Sequence, residues 1–115
     1  MEQLNVGEMI EFAAGKRVRK KLLGSGRIVG ELLCYEPGQS TPLHQHPQQD
    51  ECFFVLEGAG TLTVGGENRV IRQHDLILVP PQTLHSLVAD GGTRMVLIFF
   101  KAPATTSAVP PSAAV

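Results

Sequence analysis

The sequence is short of net charge, of cysteine and of long apolar runs, and each shortage removes a class of protein. Ten Lys and Arg stand against eleven Asp and Glu, a formal charge of −1, so no overall electrostatic pull toward nucleic acid or an anionic membrane is built in. The longest apolar stretches, Leu76 to Pro81 and Met95 to Phe100, fall far short of the roughly 20 residues that a membrane-spanning helix needs. Glu2 and Glu8 occupy the Met1 end, where an export signal would carry a basic region and then an apolar run. Two cysteines, Cys34 and Cys52, permit one internal disulfide at most. Both sit in apolar stretches, where a buried free thiol is the commoner state. The expectation is a cytoplasmic protein with neither nucleic-acid nor membrane partners.

What is present is enough for one core. A chain of 115 residues, 43% hydrophobic and 18% charged, has the size and composition of a single folded domain. At this length about 65% of the surface of the unfolded chain is buried on folding, without a disulfide or structural metal being needed. From Arg27 onward, runs of four to nine residues rich in Val, Ile, Leu, Phe and Thr alternate with turn-forming Gly, Pro, Asn and Asp, the pattern of an antiparallel all-β sandwich or barrel. The runs are Ile28 to Tyr35, Glu51 to Leu56, Thr61 to Val64, Arg69 to Arg72, Leu76 to Val79, His85 to Val88 and Thr93 to Lys101. Residues 27–103 therefore form the barrel. Residues 1–26 precede it with one or more strands that are a candidate dimer contact, and the uncharged Ala, Pro, Thr, Ser and Val of residues 104–115 read as a mobile tail.

Between Glu51 and Leu56 both alternating faces are apolar, Phe53 and Val55 on one and Cys52, Phe54 and Leu56 on the other. Such a strand is covered on both sides. Two packed sheets cover one face each, so a second subunit or another chain segment must lie outside; a homodimer is the favoured expectation. Lys16, Arg17, Arg19, Lys20 and Lys21 place five cations in six residues. With no aromatics interleaved for base stacking, they read as a solvated or edge strand, where cations block edge-to-edge pairing.

Histidine carries the chemistry. His44 and His46 flank Gln45, and residues two apart on an extended backbone point to one face, which sets two imidazoles side by side as a chelate. Glu51 heads the alternating set of Phe53 and Val55. A carboxylate on that apolar face requires a counter-charge or a metal. His85, after the rigid Pro80–Pro81 turn, can deliver a third imidazole.

The stretch Gly38 to Gly58 resembles the first motif of the cupin family throughout: Gly38, five residues, His44-Gln45-His46, four residues, Glu51, six residues, Gly58. The second motif is matched less fully. Pro80 and His85 stand at its spacing, but His74 replaces its first Gly, Gln82 the Gly of its Pro-x-Gly, and Ala89 its closing Asn. Residues 59–73 link the two motifs, as in small single-domain cupins, and the resemblance spans about Ile28 to Pro103. It implies a double-stranded β-helix, or jelly roll, of the conserved-barrel type, usually dimeric, with one divalent metal at the barrel mouth. Carried over by position, the ligands are His44, His46, Glu51 and His85. Both glycine replacements fall in turns, and His is among the residues that tolerate positive φ.

Three imidazoles and a carboxylate suit Fe, Mn, Co, Ni, Cu or Zn and leave two open positions on an octahedral ion. Such an ion can chelate a substrate, polarise a carbonyl or bind dioxygen, and all three occur among cupins. The leading expectation is a dioxygenase or related oxidoreductase acting on a small, partly apolar, oxygen-bearing molecule. A metal-dependent isomerase, lyase or decarboxylase and a non-catalytic small-molecule sensor or binding module are the alternatives. Tyr35, Gln49, Phe53 and Val55 are the candidate pocket residues, with His74 a further polar group near the mouth. The last strand offers either Met95, Leu97 and Phe99 or Val96, Ile98 and Phe100 as pocket wall. No basic residue reads as inward-facing, so the cavity is expected to be mostly apolar and a phosphosugar ranks low as substrate.

Overall fold

The computed structural model describes residues 1–104. Among these the chain forms nine β-strands: β1 (Val18–Gly24), β2 (Val29–Tyr35), β3 (Ser40–His44), β4 (Asp50–Glu57), β5 (Ala59–Val64), β6 (Glu67–Arg72), β7 (Leu76–Val79), β8 (His85–Val88) and β9 (Met95–Ala102). A single 3₁₀ turn, Val6–Glu8, precedes them, and no α-helix occurs among the described residues. The expected tail, past Ala104, lies outside them.

All seven sequence-expected runs are strands, with ends shifted by two residues at most. The strands form two antiparallel sheets, one in the order β1-β2-β9-β4-β7 and the other β3-β8-β5-β6. Sequence neighbours thus alternate between sheets as well as pairing in hairpins, the connectivity of a double-stranded β-helix.

The core lies between the sheets and follows the two-residue period of the strands. Leu33 and Tyr35 of β2, Phe53 and Val55 of β4, Leu62 of β5, Leu87 of β8 and Met95, Leu97 and Phe99 of β9 all belong to it. Of the two alternatives for β9, the odd-numbered set faces inward. Val96 and Ile98 point to the other side and join Leu32 and Cys34 in a second apolar cluster.

That outer cluster accounts for the doubly apolar strands. Val6, Met9, Ile10 and Phe12 of the N-terminal segment pack against it together with Leu56, so part of the outer face is covered by the same chain. The covering ends before β7, whose Leu76 and Leu78 are 70% and 66% exposed. β1 is the edge of its sheet, as the cation cluster suggests, but its alternation sends Lys20 to Glu11 at 2.8 Å on the outer side and Arg19 to Glu31.

Candidate metal centre

Two ladders and one turn bring the four predicted ligands together. His44 is the Cα partner of His85 in the β3–β8 ladder, so register alone places two imidazoles side by side, with ring centroids 4.2 Å apart. His46 follows β3, and its carbonyl accepts the backbone N–H of Gln82 at 3.0 Å, which ties the first-motif loop to the turn preceding His85. Glu51 enters from the other sheet near the start of β4, opposite Lys101 of β9 and Val79 of β7. One ligand atom from each of the four residues lies within 4.8 Å of the others.

The donors are oriented by their own backbone. His44 Nδ1 contacts the Pro42 carbonyl at 2.8 Å and His85 Nδ1 the Thr83 carbonyl at 2.9 Å. A ring that donates Nδ1–H to a carbonyl holds the neutral tautomer whose Nε2 lone pair faces the cluster, the arrangement that positions metal-bound histidines. Glu51 Oε1 lies 2.6 Å from His46 Nε2 and 3.1 Å from His85 Nε2. Yet Glu51 Oε1 and His85 Nε2 are buried with no aligned hydrogen bond among the described residues. Ligand atoms gathered this closely, without aligned hydrogen bonds between them, can be shared by one ion. Buried, unsatisfied donors of this type fit a divalent transition ion.

The electrostatics fit the ligand roles of Glu51 and His44, while at His85 burial works to lower the imidazole but the Glu51 carboxylate and the Thr83 carbonyl outweigh it and raise the ring above its ordinary value. Burial works to raise the Glu51 carboxyl, but the His46 and His85 rings beside it outweigh burial and hold it at about 2. Burial pushes the His44 imidazole below its ordinary value, against its bond to the Pro42 carbonyl. The cluster therefore presents a carboxylate charge and a neutral His44.

The cluster opens into a cavity of about 370 Å³ lined by Arg17, Arg19 and Lys101 as well as by Leu33, Phe53, Leu87 and Phe99. Phe53 is the one candidate pocket residue on that lining. Tyr35 is fully buried, its hydroxyl 2.6 Å from Thr41 Oγ1, and burial pushes its phenol up to about 12. The Gln49 side-chain amide donates to the Pro103 carbonyl at 2.6 Å. Val55, two residues beyond Phe53, is in the core. His74 stacks on Phe54 in an exposed turn. None of these four lines the cavity: Tyr35 and Val55 belong to the core between the sheets, Gln49 is turned to Pro103 and His74 to Phe54.

The expectation of a mostly apolar cavity without inward cations is corrected by Arg17, Arg19 and Lys101. Their signal is in the alternation: Lys101 extends the inward series Leu97, Phe99, and Arg17 and Arg19 are two apart in the cation cluster. Lys101 is buried because Glu31, inward in the series Glu31, Leu33, Tyr35, takes its ammonium at 2.9 Å. The same carboxylate accepts Arg19 Nε at 2.7 Å and Nη2 at 3.1 Å.

Comparison with known proteins agrees with this architecture. Residues 31–101 match the Cupin domain family, and the chain belongs to it. A double-stranded β-helix protein from Klebsiella pneumoniae superposes with a TM-score of 0.87 at 20% identity, over 95% of this chain and 96% of that one. The uncharacterized protein MJ1618 of Methanocaldococcus jannaschii is 31% identical over 61 residues, 53% of this chain and 49% of the relative. Quercetin 2,3-dioxygenase of Bacillus subtilis is 32% identical over 88 residues, 72% of this chain and 26% of the enzyme. The chain thus spans about half or less of the length of the curated relatives it matches.

Proposed function

We propose that this chain binds one divalent transition metal through His44, His46, Glu51 and His85 and acts as a metal-dependent enzyme on a small oxygen-bearing molecule, in the manner of a dioxygenase or related oxidoreductase. The observation that carries the reading is the convergence of three imidazoles and one carboxylate within 4.8 Å on the wall of a cavity of metabolite size. A bound ion supplies Lewis acidity and open coordination positions. The chain supplies the rest: Phe53, Phe99, Leu33 and Leu87 exclude water from the carbon part of a ligand, and His44, half-buried, stands where the cluster meets the cavity. The similarity to a quercetin dioxygenase supports the oxidative form. The three cations on the cavity wall favour a second form, an isomerase, lyase or decarboxylase in which the ion acts only as a Lewis acid on an anionic substrate.

Elemental analysis of tag-free protein, purified without added metal, is the test, with a His44→Ala/His85→Ala variant alongside. One equivalent of metal in the wild type, absent from the variant, supports the site. Oxygen uptake by the Fe(II) form then separates the two chemistries. An equal metal content in both proteins overturns the reading.

The chain is also proposed to be a homodimer. Leu76 and Leu78, Cα partners of Phe54 and Cys52, extend an apolar outer face past the N-terminal cover, and such a face at a sheet edge calls for a partner. A monomer mass by light scattering at micromolar concentration refutes this. The free thiols of Cys34 and Cys52 support a reducing, cytoplasmic location.

A further inference from the structure

The cavity wall holds more positive charge than its own acids can neutralise. Arg19 and Lys101 share one carboxylate, that of Glu31, which lies 2.7 Å from the guanidinium and 2.9 Å from the ammonium. Two cations against one anion leave one positive charge over. Arg17 adds another. Its Nη1 donates only to a backbone carbonyl, that of Ser40 at 3.2 Å, and its Nε is buried with no hydrogen-bond partner among the described residues. No ion pair of Arg17 occurs among them either. The Glu51 carboxylate faces His46 and His85 and forms no ion pair with any of the three among the described residues.

An unpartnered guanidinium nitrogen out of contact with water has a desolvation cost that nothing in the chain offsets. A guanidinium whose charge no carboxylate neutralises is, however, the group that attracts an oxyanion, and its planar shape can take two oxygens at once. Arg17, Arg19 and Lys101 line the same cavity as His44, His46 and Glu51, and its remaining wall is the apolar Leu33, Phe53, Leu87 and Phe99. Positive charge, metal-type donors and an apolar wall are thus present in about 370 Å³, a volume at the small end of ligand sites.

We propose that the ligand of this cavity is a small organic oxyanion, a carboxylate or a phosphate, held by the Arg17 guanidinium with the Arg19–Lys101 pair reinforcing it. The ligand's other oxygens face the His/Glu cluster and its carbon skeleton lies on Phe53 and Phe99. This deepens the metal-site reading by naming the class of its ligand. The anion subsite itself is made of side chains that hold their charge without metal, so it can be tested separately from that reading.

The test is calorimetric titration at about pH 8, where ordinary imidazoles are neutral, using metal-stripped and Zn²⁺-loaded protein. The probes are malonate, the uncharged isostere malonamide, and inorganic phosphate. Malonate or phosphate is expected to bind the metal-stripped wild type and malonamide not. Arg17→Gln is expected to weaken the anion by about tenfold or more, the usual worth of a charge-assisted pair. Arg17→Lys, which keeps the charge but loses the fork, should fall in between, and Lys16→Gln, an exposed neighbour, should match the wild type. Malonate bound more tightly than phosphate assigns a carboxylate, and the reverse order a phosphate. Circular dichroism of each variant establishes that it is folded. Equal binding of malonate and malonamide, or of an anion by wild type and folded Arg17→Gln, overturns the proposal. Arg17-dependent anion binding by a protein that takes up no stoichiometric metal when Zn²⁺ is added back leaves the oxyanion subsite standing and removes the metal-site reading.

Discussion

Lys101 and Glu51 are direct partners across the β4–β9 ladder, yet their charges serve different neighbours. The Lys101 ammonium turns to Glu31 at 2.9 Å, and the Glu51 carboxylate turns to His46 at 2.6 Å. The barrel mouth therefore contains two charge systems side by side, a cationic one centred on Glu31 and a metal-type one centred on Glu51.

Glu31→Gln tests that division. Burial works to raise the Glu31 carboxyl, but hydrogen bonds from Arg19 and Lys101 outweigh it and hold it below the ordinary carboxylate range. A depressed acid contributes stability that is present above its unfolded value, about 4.3, and is lost as pH falls toward its folded one. The wild type should therefore lose stability on acidification below about pH 4.3, and Glu31→Gln should show a flatter acid limb. At neutral pH the variant leaves the buried Lys101 ammonium without its carboxylate, while the half-exposed Arg19 stays solvated, and it should be less stable by on the order of 3 kcal/mol. Metal content should not change. Urea unfolding across this pH range and elemental analysis give both answers, and a parallel acid limb in the two proteins contradicts the assignment.

His46→Ala bears on the other system. His46 is 6% exposed, but it lies at the barrel mouth, outside the apolar cluster that joins the sheets. Its loss should lower metal affinity by more than about 100-fold, beyond the effect of removing a residue that only orients a ligand. The fold should survive with a change below about 2 kcal/mol. Metal titration followed by chelator competition, with thermal unfolding of the metal-free forms, measures each. A variant that is unfolded at room temperature would show that the ligand is also a structural element.

Much of this arrangement is legible in the order of residues because the information is local. His44 and His46 share a face by the two-residue period, Glu51 shares a face with Phe53, and the turn residues mark where each strand ends. Arg17 and Lys101 are harder to place. Five cations in six residues look alike until β1 has a partner, and only the Val18–Cys34 and Arg19–Leu33 register of the β1–β2 ladder divides them between the two faces. Lys101 ends an apolar strand, where a solvated Lys is the ordinary outcome; the carboxylate that holds it inward is 70 positions earlier in the sequence. The outer cover of Val6, Met9, Ile10 and Phe12 is likewise hidden. Val6, Met9 and Ile10 keep helical spacing for one turn only and Ile10 and Phe12 keep strand spacing for one step, too short for either period to be read, and only the doubly apolar β4 records that something must lie there.

The turns where this chain departs from the second cupin motif make the last prediction. His74 and Gln82, which stand in place of glycines, have φ of 76° and 59°, so the backbone keeps the left-handed form that the motif's glycines would take freely. A non-glycine residue there costs about 1–2 kcal/mol, partly offset because glycine leaves the unfolded chain more freedom. Gln82→Gly should therefore stabilise by up to about 1 kcal/mol while keeping the N–H that holds the His46 carbonyl. Gly58 is the opposite case. Its φ is 82°, and a Cβ there would lie 1.9 Å from the Arg94 carbonyl oxygen, backbone that cannot swing aside. Gly58→Ala should destabilise by about 3 kcal/mol or more, the strained φ and the overpacking acting together. Thermal unfolding of the two variants should move in opposite directions. A Gly58→Ala protein as stable as the wild type would mean that β4 and the segment before β9 are not packed as closely as the structure places them.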